Sequence, residues 1–508
     1  MTFMSSGRGA AAGILLLFMP VAAGAQASDF SALDRYIEGA LAEWEIPGAA
    51  VAIVRNDSVV HARGYGVRKI GDAARIDDRT MFAVASTTKA FTAALIAMLV
   101  DEKKMQWDDP ATLHLPGFQL YDPYVTRELT VRDLLSHRSG LSRGDLSWYG
   151  TPVDRDEVIR RVRFLRPTTS FRSNYGYQNV MYVAASQAAA RVAGKSWDEL
   201  IDERIFTPLG MNETVTSVRD LVGLLNVAQP HALVNRRVVS LPYRNVDNIG
   251  GAGAMNSNVR EMAQWLRLQL ADGIYGGRQL ISPASIREMR RPHTIVPLDT
   301  VAERINPTTH FRAYALGWNT EDYRGRRIFW HAGNLDGMSS VVGFMPEEKL
   351  GIVVLVNMNQ VLLTSAVMRR VWDMQLGGTP TDWSRVFLTL RRDGIARADS
   401  IERKLAADRI GGTRPSLALE RYAGTYSDSL YGQISIRLEG TKLVADAGAS
   451  WMGDVAHWHY DTFRITWRDP MMGWSFASFV IGPSAKVESM RLSDWSEFRR
   501  DPERIQSP

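Results

Sequence analysis

The sequence contains no cysteine, which excludes disulfides, thiol nucleophiles, iron–sulfur clusters and thiolate zinc sites together. Blocks of Lys and Arg are also missing. The net charge of +5 comes from Arg scattered along 508 residues, so no nucleic-acid footprint is expected. Beyond the first twenty or so residues no stretch is long and apolar enough to span a bilayer. With 45% hydrophobic and 23% charged residues, disorder, collagen and coiled coil are excluded as well. What remains is a folded chain with length for about two to four domains.

Residues 1–27 read as a secretory signal peptide. Arg8 gives the positive start, Gly9 to Met19 the apolar run, and Ala23, Ala25 and Ala27 the small residues for cleavage near residues 25–27. The expectation is export to the periplasm, with no stable membrane insertion after cleavage. Ser31 to Trp44 then has helical spacing, with Leu33, Tyr36, Ile37, Ala40 and Leu41 on one stripe. Gly48 to Val54 and Ser58 to Gly64 flank Arg55-Asn56-Asp57 as a hairpin. Val341 to Met345 and Gly351 to Asn357 form a second, followed by a helical Leu362 to Gln375. Strands at both ends with helices between predict one sheet built from the two termini of a domain over 28–376. Residues 377–415 carry a Gly-Gly-Thr-Pro break, an Arg-rich helical patch (Arg391 to Arg403) and Gly411-Gly412-Thr413-Arg414-Pro415. They read as a linker. From 416 to 500 short alternating runs separated by turn residues predict a small all-β domain.

Ser86-Thr87-Thr88-Lys89 stands immediately before the apolar helical segment Phe91 to Glu102. Residues three apart share a helix face, so the amine lies over the hydroxyl. The electropositive helix start favours an alkoxide at Ser86 and a neutral amine at Lys89. A serine hydroxyl needs such help to act as a nucleophile. His457-Trp458-His459 places two imidazoles on one strand face, but no third ligand or carboxylate is nearby in sequence, so an aromatic strand is the expectation there.

The stretch Phe82 to Ala93 resembles the nucleophile motif of the serine β-lactamase and penicillin-binding-protein superfamily, in particular its class C β-lactamase-like group of peptidases and esterases. Leu129 to Leu141 (LTVRDLLSHRSGL), Ile205 to Thr214, Gly250 to Trp265 and Tyr314 to Trp318 are similar to the same family in the same order. The resemblance implies an α/β (α+β) fold: an antiparallel sheet flanked by helices, plus a helical subdomain. It also implies Ser86 as nucleophile, Lys89 as its partner, and a Y-x-N motif. Tyr177-Gln178-Asn179 matches letter for letter. The other register, Arg172-Ser173-Asn174, begins with a residue that cannot accept a proton. Tyr175 and Tyr182 are then packing residues, and His137 a structural one. Surrounding cationic charge is expected to make the Tyr177 phenolate accessible for proton transfer. The third motif is His331-Ala332-Gly333, with an oxyanion hole from the N–H groups of Ser86 and Asn334, and Asn179, His331 and Gly333 binding substrate. Family β-lactamases carry Lys where His331 stands, so a substrate carboxylate is held less firmly here.

Residues 419–499 resemble a β-rich accessory domain appended to such hydrolases, expected to pack on the groove and restrict substrate shape. Together these features imply an exported serine hydrolase cleaving an amide bond in a peptide or small molecule through an acyl-enzyme. It would need no cofactor or metal. Alternatives are a carboxylesterase, a β-lactamase or D,D-peptidase, and a sensor that acylates without turnover.

Overall fold

The computed structural model describes residues 30–359, 361–378, 381–448 and 450–502; the predicted signal peptide lies outside them. The chain opens with α1 (Ser31–Trp44), whose stripe of Leu33, Ile37, Ala40, Leu41 and Trp44 is buried. The hairpin β1 (Gly48–Arg55) and β2 (Ser58–Gly66) follows. Three longer helices come next: α2 (Thr88–Asp101), α3 (Asn179–Ala193) and α4 (Val259–Leu270). The chain then returns as strands β3 (Thr294–Ile295), β4 (Arg312–Tyr314), β5 (Asn319–Tyr323), β6 (Arg326–Leu335), β7 (Met338–Met345) and β8 (Leu350–Val356). Helix α5 (Leu363–Leu376) closes the unit.

Among the described residues these strands form one antiparallel sheet in the order β2-β1-β8-β7-β6-β5-β4-β3. The N-terminal hairpin pairs with the last strand, Val51 facing Val354. Both faces of β1 are covered, which is why GAAVAIV reads as a continuous apolar run instead of alternating. Ala50, Ala52 and Val54 face a core shared with α2, α3 and α4. Ala49, Val51 and Ile53 face a second core shared with α1 and α5.

The expected linker differs from the structure. A 25-residue helix, α6 (Trp383–Ala407), occupies most of 377–415. Asp382 caps it by accepting from the Arg385 N–H. Its first turns, Trp383, Ser384, Phe387 and Leu388, are buried in the α1–α5 core. The Trp44 indole donates to Ser384 Oγ at 3.0 Å, and the Trp383 indole to Asp373 Oδ2 at 2.7 Å. The later, Arg-rich turns are mostly exposed, and together with the flanking Gly/Pro breaks they gave the segment its linker character.

Strands β9 (Gly424–Asp428), β10 (Gly432–Glu439), β11 (Lys442–Asp446), β12 (Met452–His459), β13 (Thr462–Trp467), β14 (Trp474–Ile481), β15 (Val487–Leu492) and β16 (Glu497–Arg500) close into a barrel. Closure leaves no free edge, because β9 pairs with β16. The interior is filled by Tyr422, Tyr426, Phe463, Trp467, Phe479 and their aliphatic neighbours.

The segment Leu129 to Leu141 owes its pattern to one buried carboxylate. Thr130 and Asp133 form a reciprocal capping box on the short helix Val131–Leu135. Asp133 is fully buried and also receives Arg138 at 2.6 Å and Arg172 at 2.6 Å. Burial pushes its carboxyl up, but the Arg172 bond, the Thr130 N–H and the Arg138 charge outweigh this and leave it lowered. Asp133→Ala is expected to cost about 3 kcal/mol in urea unfolding, the low end for breaking a buried pair because Arg172 can swing into water. The native carboxylate's contribution is present above the ordinary Asp range and lost as pH falls through its lowered value.

Candidate active site

Ser86 sits in a single 3₁₀ turn, Ala85–Thr87, that leads into α2. Ala85 adopts φ of +47°, in the left-handed region that a side chain disfavours. The turn is held by the Val84 carbonyl, which accepts from the Thr87 hydroxyl at 2.9 Å and from Ser340 Oγ on β7 at 2.8 Å. Strand β6 presses against the same turn at Gly333. A Cβ there would stand 2.3 Å from Val84 O and 3.0 Å from Ser86 N, so glycine is required for this approach.

Ser86 Oγ is partly exposed and stands between two groups. The Tyr177 hydroxyl is 2.8 Å away and Lys89 Nζ 3.2 Å away. Lys89 is fully buried and also donates to Asn179 Oδ1 at 2.7 Å and to the Ala252 carbonyl at 2.7 Å. Burial drives its pKa well below the ordinary lysine value; Asp145 opposes this and Arg143 adds to it. Asn179 begins α3, and its Nδ2 donates to Asp145 Oδ1 at 2.8 Å. Asp145 in turn pairs with Arg143 and accepts from the Trp148 indole at 3.1 Å.

Two expectations need correction, the first about proton transfer at Tyr177 and the second about substrate binding at His331. Burial of the Tyr177 phenol raises its pKa, outweighing the Ser86 bond and the Arg143 charge that lower it. Tyr177 is therefore a neutral phenol, not an accessible phenolate. His331 is brought close to the site, its ring 6.4 Å from that of Tyr177, but it is buried and both nitrogens are spent on the protein. Nδ1 donates to the Ala332 carbonyl at 2.7 Å, and Nε2 accepts from the Tyr314 hydroxyl at 3.0 Å. Burial pushes its pKa down to about 3, so it presents no cation and no free donor to a substrate. Tyr182 donates to the Leu135 carbonyl at 2.5 Å. His137 supports the tyrosines: its Nδ1 accepts the Gln178 N–H at 3.1 Å and its ring lies 4.3 Å from that of Tyr177.

A pocket of about 320 Å³ opens over Ser86, lined by Asn179 and Asn334 together with residues that sequence reasoning missed: Arg143, Asp145, Trp148, Tyr149, Ile249, Asp336, Asn359 and Met471. The missed residues lie on loops between recognisable elements, and no local pattern marks them. His457-Trp458-His459 lies at the end of β12 on the barrel, with His457 Nε2 donating to the Tyr460 carbonyl at 2.9 Å.

The Beta-lactamase family profile matches residues 33–371, and the Domain of unknown function (DUF3471) profile matches residues 408–507. Unguisins hydrolase ungD' of Aspergillus campestris (strain IBT 28561) is 30% identical over 421 residues, covering 79% of this chain and 76% of that protein. Two solved structures share the fold at 21% identity each. The octameric penicillin-binding protein homologue from Pyrococcus abyssi has a TM-score of 0.62, with 92% of this chain and 99% of that chain covered. The D-stereospecific amidohydrolase from Streptomyces sp. has a TM-score of 0.56, with 69% and 99% covered.

Adding one methyl group to β6 tests the close approach. Gly333→Ala is expected to slow modification of Ser86 by a fluorophosphonate about 10²-fold, the scale of an ångström's misplacement. Adduct formation followed by intact-protein mass spectrometry measures it; an unchanged rate removes the contact from the account.

Proposed function

Because this chain belongs to the Beta-lactamase family of serine hydrolases, we propose that it is an exported hydrolase cleaving amide bonds in small peptides through an acyl-Ser86 intermediate. The observation that carries the proposal is the hydrogen-bond inventory of Lys89. A neutral amine has two N–H donors and one lone pair. The two acceptors Asn179 Oδ1 and Ala252 O use the donors of the neutral amine, so its lone pair is left for the third contact, Ser86 Oγ at 3.2 Å.

The steps follow from that arrangement. Ser86 Oγ attacks the carbonyl carbon as its proton moves to Lys89 Nζ. The N–H groups of Ser86 and Asn334 hold the oxyanion, a contribution of roughly 3 kcal/mol per donor. Tyr177, a neutral phenol against Ser86, hands its proton to the departing nitrogen and is reprotonated from Lys89, and the C–N bond breaks. Water then attacks the acyl carbon as its proton moves to Lys89, the C–Oγ bond breaks, and Lys89 returns that proton to Ser86 Oγ, which restores the free serine and the neutral amine. Asn179 holds the amine in register and His331 buttresses the site from behind.

Amide cleavage is favoured over β-lactam hydrolysis because the third-motif position offers no cation to a substrate carboxylate. The hydrolase and amidohydrolase names of the relatives support the same class. Export rests on Arg8 and the apolar run Gly9 to Met19, and sequencing the N-terminus of protein recovered from the periplasm checks it.

Profiling against mixed L- and D-peptides, with matched esters, tests the reaction class. Ser86→Ala is expected to lose at least about 10⁴-fold in kcat/KM. A higher kcat/KM on esters alone would replace peptidase by esterase, and activity surviving in Ser86→Ala would overturn the mechanism. The pH profile tests Lys89 separately. The neutral amine is the base, so activity falls as pH drops through the lowered Lys89 pKa. Asp145 favours the charged amine, so Asp145→Asn is expected to move the acidic limb of kcat/KM to lower pH.

A further inference from the structure

The pocket over Ser86 is not closed by the catalytic unit alone. Met471, on the β13–β14 loop of the barrel, is part of its wall. Its position is set by a chain of contacts that crosses between the units. The Met471 N–H donates to Asp469 Oδ1 at 3.0 Å, and Asp469 Oδ2 accepts from Arg244 Nη2 at 2.6 Å. Arg244 Nε donates to Asp336 Oδ2 at 2.7 Å, and Nη1 to Ser450 Oγ at 2.5 Å. Asp336 lies two residues beyond Asn334, in the turn that joins β6 and β7. One planar guanidinium thus sets the barrel loop in register with the strand end that flanks Ser86. The Trp451 indole donates to the Tyr149 carbonyl at 2.8 Å beside it. At Gly150 a Cβ would stand 2.9 Å from Met472 Cε and 3.0 Å from Ser450 Cβ, so the two surfaces meet without a gap.

Each charge lining this pocket has an ion-pair partner, with Arg244 shared between Asp336 and Asp469. Asp145 is paired with Arg143, and Asp336 with Arg244 and the Tyr149 hydroxyl. The remaining walls are Trp148, Tyr149, Ile249, Leu335 and Met471, with neutral amides from Asn179, Asn334 and Asn359. A cavity of about 320 Å³ is at the small end for a ligand site, with space for one side chain and its backbone.

Resting on the acyl-enzyme reading above, we propose that Met471 is a specificity-determining residue. Lent to the active site by the barrel, it packs on an uncharged, apolar side chain next to the scissile carbonyl. The flexible thioether suits a wall that adapts to several apolar shapes. The barrel therefore selects substrate while taking no part in the chemistry.

The test uses the full chain and two fluorophosphonates, one with a methyl and one with a benzyl substituent, with the rate of adduct formation on Ser86 as readout. Met471→Ala enlarges the pocket and is expected to raise the benzyl-to-methyl rate ratio about tenfold, within the range for one to a few methylenes. Met471→Gln keeps the length but adds polarity and is expected to lower the ratio by a similar factor; it decides the matter if the alanine variant fails to fold. The methyl probe serves as the internal reference in each variant, so the ratio alone is read. Ratios unchanged in the folded variants, with Ser86 still labelled, would overturn this inference alone. If neither probe labels Ser86 in the native protein, the hydrolase reading itself falls and this one with it.

Discussion

In the proposed mechanism Lys89 is the base in direct contact with Ser86, and it can serve as one because water is kept from it. An exposed lysine would carry a proton at neutral pH and could only donate. Burial of Nζ beneath the Tyr177 and Tyr182 rings, 4.8 and 5.4 Å from their centroids, disfavours the charged form. The acceptors Asn179 and Ala252 then fix the direction of the lone pair. The rest of the catalytic unit can be understood as the support for this one group. Helix α3 delivers Asn179, the segment before α4 delivers the Ala252 carbonyl, and Asp145 steadies Asn179 while moderating the shift.

Holding Ser86 over that amine falls to the backbone. Ala85 is kept in an unfavourable conformation, which persists only where surroundings over-determine it. Those surroundings are the Ser340 bond to Val84 and the packing of Gly333 on the same turn. Both come from adjacent strands of the large sheet, buried on its two faces by separate cores. The rigidity of the sheet is therefore passed to the nucleophile through two short contacts.

Much of this was legible in the sequence where the determinants are local. Ser86 and Lys89 are three residues apart on one helix face, and the hairpins announce themselves by short apolar runs on either side of Asn-Asp or Pro-Glu pairs. The apolar run in β1 and the stripe on α1 were equally plain. Tyr177 and Asn179 followed from a three-residue pattern. What could not be read was set by partners distant in sequence. His331 looks like a substrate-facing imidazole until Tyr314 and the Ala332 carbonyl are seen to occupy its nitrogens. The phenol of Tyr177 is neutral because of burial that no spacing reveals. Arg143, Asp145, Arg244 and Asp336 belong to loops whose meeting depends on the whole fold. The first turns of α6 were obscured by flanking glycines and a proline, although Trp383, Phe387 and Leu388 recur at helical spacing.

The C-terminal barrel is closed by hydrogen bonds all the way round and stuffed with aromatic rings. Among the described residues its interior is taken up by those side chains, unlike hollow barrels of the same strand number. Whatever it contributes must be displayed on its outside, at the loops joining its strands. Such loops tolerate insertion and exchange far better than the strands that support them. The barrel is thus a stable mount for an interchangeable surface, and descendants of this chain could acquire new tastes by editing a few loop residues while the machinery beneath stays as it is.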